Sequence, residues 1–182
     1  MHHLLALVGI IGLASVVQGD RAIPTRVPGP LYAVELSGDT VEFLDREHAA
    51  YVLAGNYACS QCYRDVEEAL RSYDSLLEIV CIIRPSDNTA SARRRAFTRQ
   101  KRLIDADRYL FDRSSPMLDQ LGAFEDGILG SLGVSITPSV LLRGQGGVWF
   151  HLPYSLLFPG QGSANAKGHM RAILERVLEG RQ

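Results

Sequence analysis

The sequence predicts an α/β sandwich of three layers, with a mixed central sheet and helices on both faces. Three observations predict it. Short β-prone runs alternate with stretches of helical spacing, the run 76–83 is apolar almost throughout, and the chain closes with a pair of strands and an amphipathic helix. A continuous apolar strand belongs in a parallel sheet covered on both sides, and strand-helix-strand crossovers are right-handed, which fixes where the helices lie.

A chain of 182 residues with 46% apolar and 21% charged residues has the size and composition of one globular domain. The net charge of −1 produces no overall field that demands nucleic acid or an anionic membrane as a partner. Residues 1–19 lack Asp, Glu, Lys and Arg, run mostly apolar from Leu4 to Val17, and end on Val17 and Gly19 ahead of Asp20. They read as a secretory signal peptide, with His2 and His3 standing where Lys or Arg is usual, so retention as an N-terminal anchor stays open. Either way the rest of the chain is expected in a periplasmic or otherwise exported compartment, touching the membrane only if that segment is retained.

Residues 20–30, with Pro24, Pro28, Gly29 and Pro30, show no period and are expected as an extended lead-in to a domain spanning 31–182. Runs 31–36 and 40–44 flank Ser37-Gly38-Asp39 and predict an N-terminal β-hairpin. A short apolar strand over 51–55 ends just before two cysteines. From Cys62, the apolar positions Val66, Ala69, Leu70 and Tyr73 recur at helical spacing while Arg64, Asp65, Glu67, Glu68 and Arg71 fill the opposite face. An inserted αβα segment follows the strand 76–83: a helix over 89–104, a strand over 108–111, and a helical stretch over 117–132 broken by Gly122, Gly127 and Gly130. Strands 139–142 and 148–152 are joined by a glycine-rich turn, a loop is expected from Tyr154 to Gly162, and a last helix is marked by Met170, Ile173, Leu174, Val177 and Leu178.

The chemistry-bearing feature is Cys59-Ser60-Gln61-Cys62. Disulfide exchange needs a thiolate that a partner sulfur can reach and a second thiol near enough to displace the mixed disulfide. A cysteine at a helix start has its thiolate stabilised by unpaired amides and the positive end of the helix dipole, which suits Cys59 as nucleophile. Cys62, in the first turn, is expected deeper and suits the resolving role. A static bridge or half of a metal site are the alternatives, but so short a loop stabilises little, and no second cysteine pair is present to complete a zinc site.

The chain resembles the thioredoxin superfamily, and within it the TlpA-like exported thiol:disulfide oxidoreductases. The resemblance rests on Tyr51-Val52-Leu53-Ala54-Gly55-Asn56-Tyr57-Ala58-Cys59-Ser60-Gln61-Cys62 and on Gly133-Val134-Ser135-Ile136-Thr137-Pro138-Ser139. It implies that Pro138 is a cis-proline facing the cysteines, that the backbone of Thr137 binds the extended chain of a substrate, and that Asp65 tunes the Cys59 thiol. It also implies a reductase of protein disulfides that needs an upstream redox partner and carries no cofactor. Two departures bear on the redox potential: Ser60-Gln61 lacks the proline common between the cysteines, and Leu53 stands where thioredoxin has a buried acid. A non-catalytic peptide- or copper-binding module, with Cys59, Cys62 and His151 as copper ligands, is the competing expectation. Cys81 is expected as a buried small hydrophobe, and Arg93, Arg94, Arg95, Arg99, Lys101 and Arg102 as a solvated face or a dock for an acidic partner.

Overall fold

The structure is a computed structural model and describes residues 23–25, 31–43, 46, 48–54, 59–74, 76–112, 138–144, 147–157 and 166–179. The expected signal segment 1–19, the helical stretch 117–132 and Thr137 lie outside the described residues. Among the described residues eight strands form one mixed sheet in the order β1-β8-β7-β4-β5-β6-β2-β3. In chain order they are β1 (Ile23–Thr25), β2 (Leu31–Val34), β3 (Thr40–Phe43), β4 (Ala49–Ala54), β5 (Glu78–Ile83), β6 (Arg108–Phe111), β7 (Ser139–Arg143) and β8 (Trp149–Pro153). The described helices are α1 (Ser60–Tyr73), α2 (Ala90–Gln100), α3 (Tyr154–Leu157) and α4 (Ala166–Leu178).

Strands β4, β5 and β6 run parallel and adjacent, so the right-handed crossovers through α1 and α2 place both helices over the same face. There Val52, Cys81, Val140, Leu142 and Leu152 of the sheet pack with Tyr63, Val66 and Leu70 of α1 and with Met170, Ile173 and Leu174 of α4. The alternate residues Tyr51, Leu53, Val80, Ile82 and Leu141 are equally buried, so the sheet is covered on both sides. This explains why the strand sequences read as apolar runs rather than alternating ones.

The hairpin forms as expected: Gly38 adopts φ 109°, where a side chain is strained, and its amide donates to the Glu35 carbonyl at 3.0 Å. Three differences from expectation are physical. Ile23–Thr25, inside the expected lead-in, joins the sheet edge by pairing with β8, a long-range registration that three residues cannot announce. The helix expected over 89–104 is capped by Thr89 but ends at Gln100, where the backbone tightens into turns that let Tyr109 donate to the Ile104 carbonyl at 2.6 Å. Residues 154–157, expected to open a loop, instead form α3, a turn of helix with Leu156 and Leu157 buried.

Candidate functional site

The site lies at the carboxyl end of the parallel strands, where α1 begins. Cys59 is the N-cap of α1, with extended φ −87° and ψ 93°, and the Cys62 amide donates to its Sγ at 3.2 Å. This is the cap geometry in which a side chain takes up one of the orphan donors of the first turn, here with sulfur in the place of the usual oxygen. Cys59 and Cys62 are joined in a disulfide with Cα atoms 5.2 Å apart. Both are partly buried.

Asp65 lies beyond the first turn of α1, so it is not a cap-proximal acid favoured by the helix dipole. Its carboxylate is held on both oxygens. Gln61 Nε2 donates to Oδ1 at 2.7 Å, and the Tyr154 hydroxyl donates to Oδ2 at 3.0 Å. Tyr154 is pushed up to about 12, first by burial and then by that carboxylate. The contact spans 89 positions, and no sequence signal announces it. It ties the start of α1 to α3, while the Tyr73 hydroxyl, donating to Glu179 at 3.1 Å, ties the end of α1 to the end of α4.

Pro138 is buried at the start of β7. The antiparallel register pairs Ser139 with Leu53, and one further step sets Pro138 opposite Ala54, at the end of the strand that leads to Cys59. Thr137, and with it the peptide bond into Pro138, lies outside the described residues. Leu53 is fully buried, so the position of the missing acid is occupied by hydrocarbon. Beside it, the Ser139 hydroxyl is buried with no hydrogen-bond partner, a feature the sequence reading missed.

The remaining candidates sit inside the sheet. Cys81, fully buried between Val52 and Tyr109, has its thiol pushed well above the ordinary range by burial. His151 is also fully buried, with both ring nitrogens unpartnered, and burial lowers it to about 4. It alternates with Leu152 and so projects to the face opposite α1. Among the described residues no three His, Cys, Asp or Glu side chains are grouped as metal ligands, so the expected copper set of Cys59, Cys62 and His151 does not assemble.

No family model matches the sequence, and no curated protein matches it. Solved structures do match. A hypothetical protein of Sinorhizobium meliloti aligns with a TM-score of 0.50 at 14% identity, covering 89% of this chain and 90% of its own. BsSco, a member of the Sco family of cytochrome c oxidase assembly proteins, aligns at 0.49 with 8% identity over 85% and 94%. A thiol:disulfide interchange protein of the thioredoxin family from Chlorobium tepidum aligns at 0.44 with 14% identity over 86% and 98%.

The fold is thioredoxin-like. Strand, CxxC, helix, parallel strands and a closing antiparallel pair with a final helix stand in thioredoxin-like order, with the cysteines at the first turn of α1. Likeness at such identities concerns the fold, and the chemistry rests on the residues described above. Among the described residues no helix is long and apolar enough to cross a membrane.

Proposed function

We propose that this thioredoxin-like chain is a thiol:disulfide oxidoreductase of an exported compartment, working as a reductase on protein disulfides. The single observation that supports this most is the Cys59–Cys62 pair at the helix tip, with the Cys62 amide aimed at the Cys59 sulfur. That amide and the positive end of α1 stabilise negative charge on Cys59 Sγ when the pair is reduced, favouring thiolate at neutral pH.

In the reduced form the Cys59 thiolate attacks one sulfur of the substrate disulfide, forming a mixed disulfide and releasing the other sulfur as a thiolate that takes up a proton. Cys62, deprotonated, then attacks Cys59 Sγ, which breaks the mixed bond and releases the second substrate thiol. Two electrons pass to the substrate, and the protein is left as the Cys59–Cys62 disulfide, the state seen here. An upstream protein dithiol restores it by the reverse sequence. Thr137 and Pro138 orient the substrate chain beside Cys59 in this scheme. Asp65, held by Gln61 and Tyr154, sets the charge near the pair.

The test is reduction of insulin disulfides by the full chain with dithiothreitol as donor. Wild type is expected to accelerate precipitation of the reduced chains, and Cys59→Ser to show none. Equal, background rates for both proteins would leave a binding module as the better account.

A further inference from the structure

Helix α2 is electrostatically adverse to itself. Between Asn88 and Ile104 the chain carries Arg93, Arg94, Arg95, Arg99, Lys101 and Arg102 and no acid. Three of the arginines fall in or next to the first turn, against the positive end of the helix dipole, and that turn holds no acidic residue. Arg95 and Arg99 stand one turn apart, as do Arg99 and Arg102, and like charges at such spacing repel.

Within the fold the compensation is slight: Asp87 is held below the ordinary carboxyl range chiefly by Thr89 and only in minor part by the charge of Arg95. Arg94, Arg95, Arg99 and Arg102 are exposed and make no ion pair among the described residues, whereas Arg71 and Arg108 are paired with Asp107 and Glu35. The neighbouring Asp87 is occupied in bonds from the Thr89 hydroxyl and amide. The four arginines, with Thr98 and Leu103, line an open cavity of about 510 Å³. Five of the six cations are arginine, whose planar fork binds carboxylates in pairs. A local conflict so little compensated marks a surface that serves something outside the chain.

We infer that this groove docks an acidic segment of the polypeptide that exchanges disulfides with Cys59. The inference rests on the oxidoreductase reading only in taking the occupant to be a redox partner protein. The fold favours that occupant. Strands β4 and β5 are parallel and end in register at Ala54 and Ile83, so α1 and α2 start from the same edge of the sheet, and the stripe begins beside the dithiol end. A nucleic acid is disfavoured because Phe97, the aromatic residue within α2, packs T-shaped against Tyr109 with ring centroids 5.0 Å apart and has Lys101 over its ring, so it offers no platform to a base. An anionic membrane is disfavoured because α2 exposes no large apolar side chain to insert.

The test compares the rates at which two cysteine peptides reduce the oxidised full chain, one flanked by glutamates and one by glutamines. It is run on wild type and on Arg94→Gln/Arg95→Gln/Arg99→Gln/Arg102→Gln, at low and high salt, with dithiothreitol as a neutral reductant. Going from wild type to the variant is expected to slow the acidic peptide about tenfold at low salt, with the glutamine peptide and dithiothreitol unchanged. High salt is expected to abolish the difference between wild type and variant. An acidic peptide that reacts equally with both proteins would overturn the inference. So would tighter binding to phosphatidylglycerol vesicles or a single-stranded oligonucleotide than to a cysteine-free glutamate peptide, measured by fluorescence anisotropy. Arginine-dependent binding of that peptide to a chain that reduces no insulin would support the docking surface while removing the oxidoreductase reading.

Discussion

Two regions of the sheet carry the same kinds of side chain to opposite ends. At its carboxyl edge Cys59 and Cys62 stand half-buried at a helix tip, with an amide donor on sulfur and a carboxylate one turn away. In its interior Cys81 and His151 are sealed from water, and burial suppresses the ionised form of each. The difference teaches that reactivity here belongs to position along a strand. A thiol a few residues back from the end of β5 is inert, while one just past the end of β4 gains the unpaired amides of a helix.

The largest expected effect breaks this comparison at the edge. Cys59→Ser should lower disulfide reductase turnover at least about a thousandfold, because Cys62 alone has no second thiol to resolve a mixed disulfide and Cys81 is sealed in the core. Cys81→Ala should leave turnover within about twofold of wild type, since that thiol takes no part in exchange. Paired insulin-reduction assays on the two variants read both expectations.

The interior is probed by acid. His151 is lowered to about 4 in the folded chain against an ordinary 6.5, so the unfolded chain takes up a proton that the folded chain refuses. Stability is therefore complete above pH 6.5 and falls as the pH drops towards 4, by up to about 3 kcal/mol. Urea unfolding between pH 7 and pH 4 should show this slope, and His151→Leu should flatten it. A slope unchanged in the variant would place the acid sensitivity elsewhere.

Smaller effects sharpen the contrast. Cys81→Ser puts a hydroxyl where a thiol is buried without a hydrogen bond and should cost about 1–3 kcal/mol of stability in chemical denaturation. Tyr154→Phe removes the donor to Asp65 at a half-buried place, for about 1 kcal/mol. Because that bond is also an attachment of the dithiol helix to α3, the variant should shift the measured equilibrium potential of the Cys59/Cys62 couple while Tyr73→Phe, at the far end of α1, should not.

Much of this arrangement is legible in the residues alone. The bounds of β6 match the expected strand, and the helix after Cys62 follows from the spacing of Val66, Ala69, Leu70 and Tyr73, because local periodicity is what a buried face requires. Ser37-Gly38-Asp39 announces its turn since a positive φ there favours glycine. What local pattern cannot carry is pairing across the chain. The edge strand Ile23–Thr25 exists through its register with Trp149, Phe150 and His151, and the Tyr154–Asp65 bond joins elements far apart in sequence.

Site-resolved alkylation of the reduced, folded chain near neutral pH tests the central claim most directly. Iodoacetamide should modify Cys59 first and fast, with a rate that saturates below the pH at which an ordinary thiol ionises, and should leave Cys81 unmodified until the protein is unfolded. A Cys59 that reacts no faster than Cys81 would contradict the account.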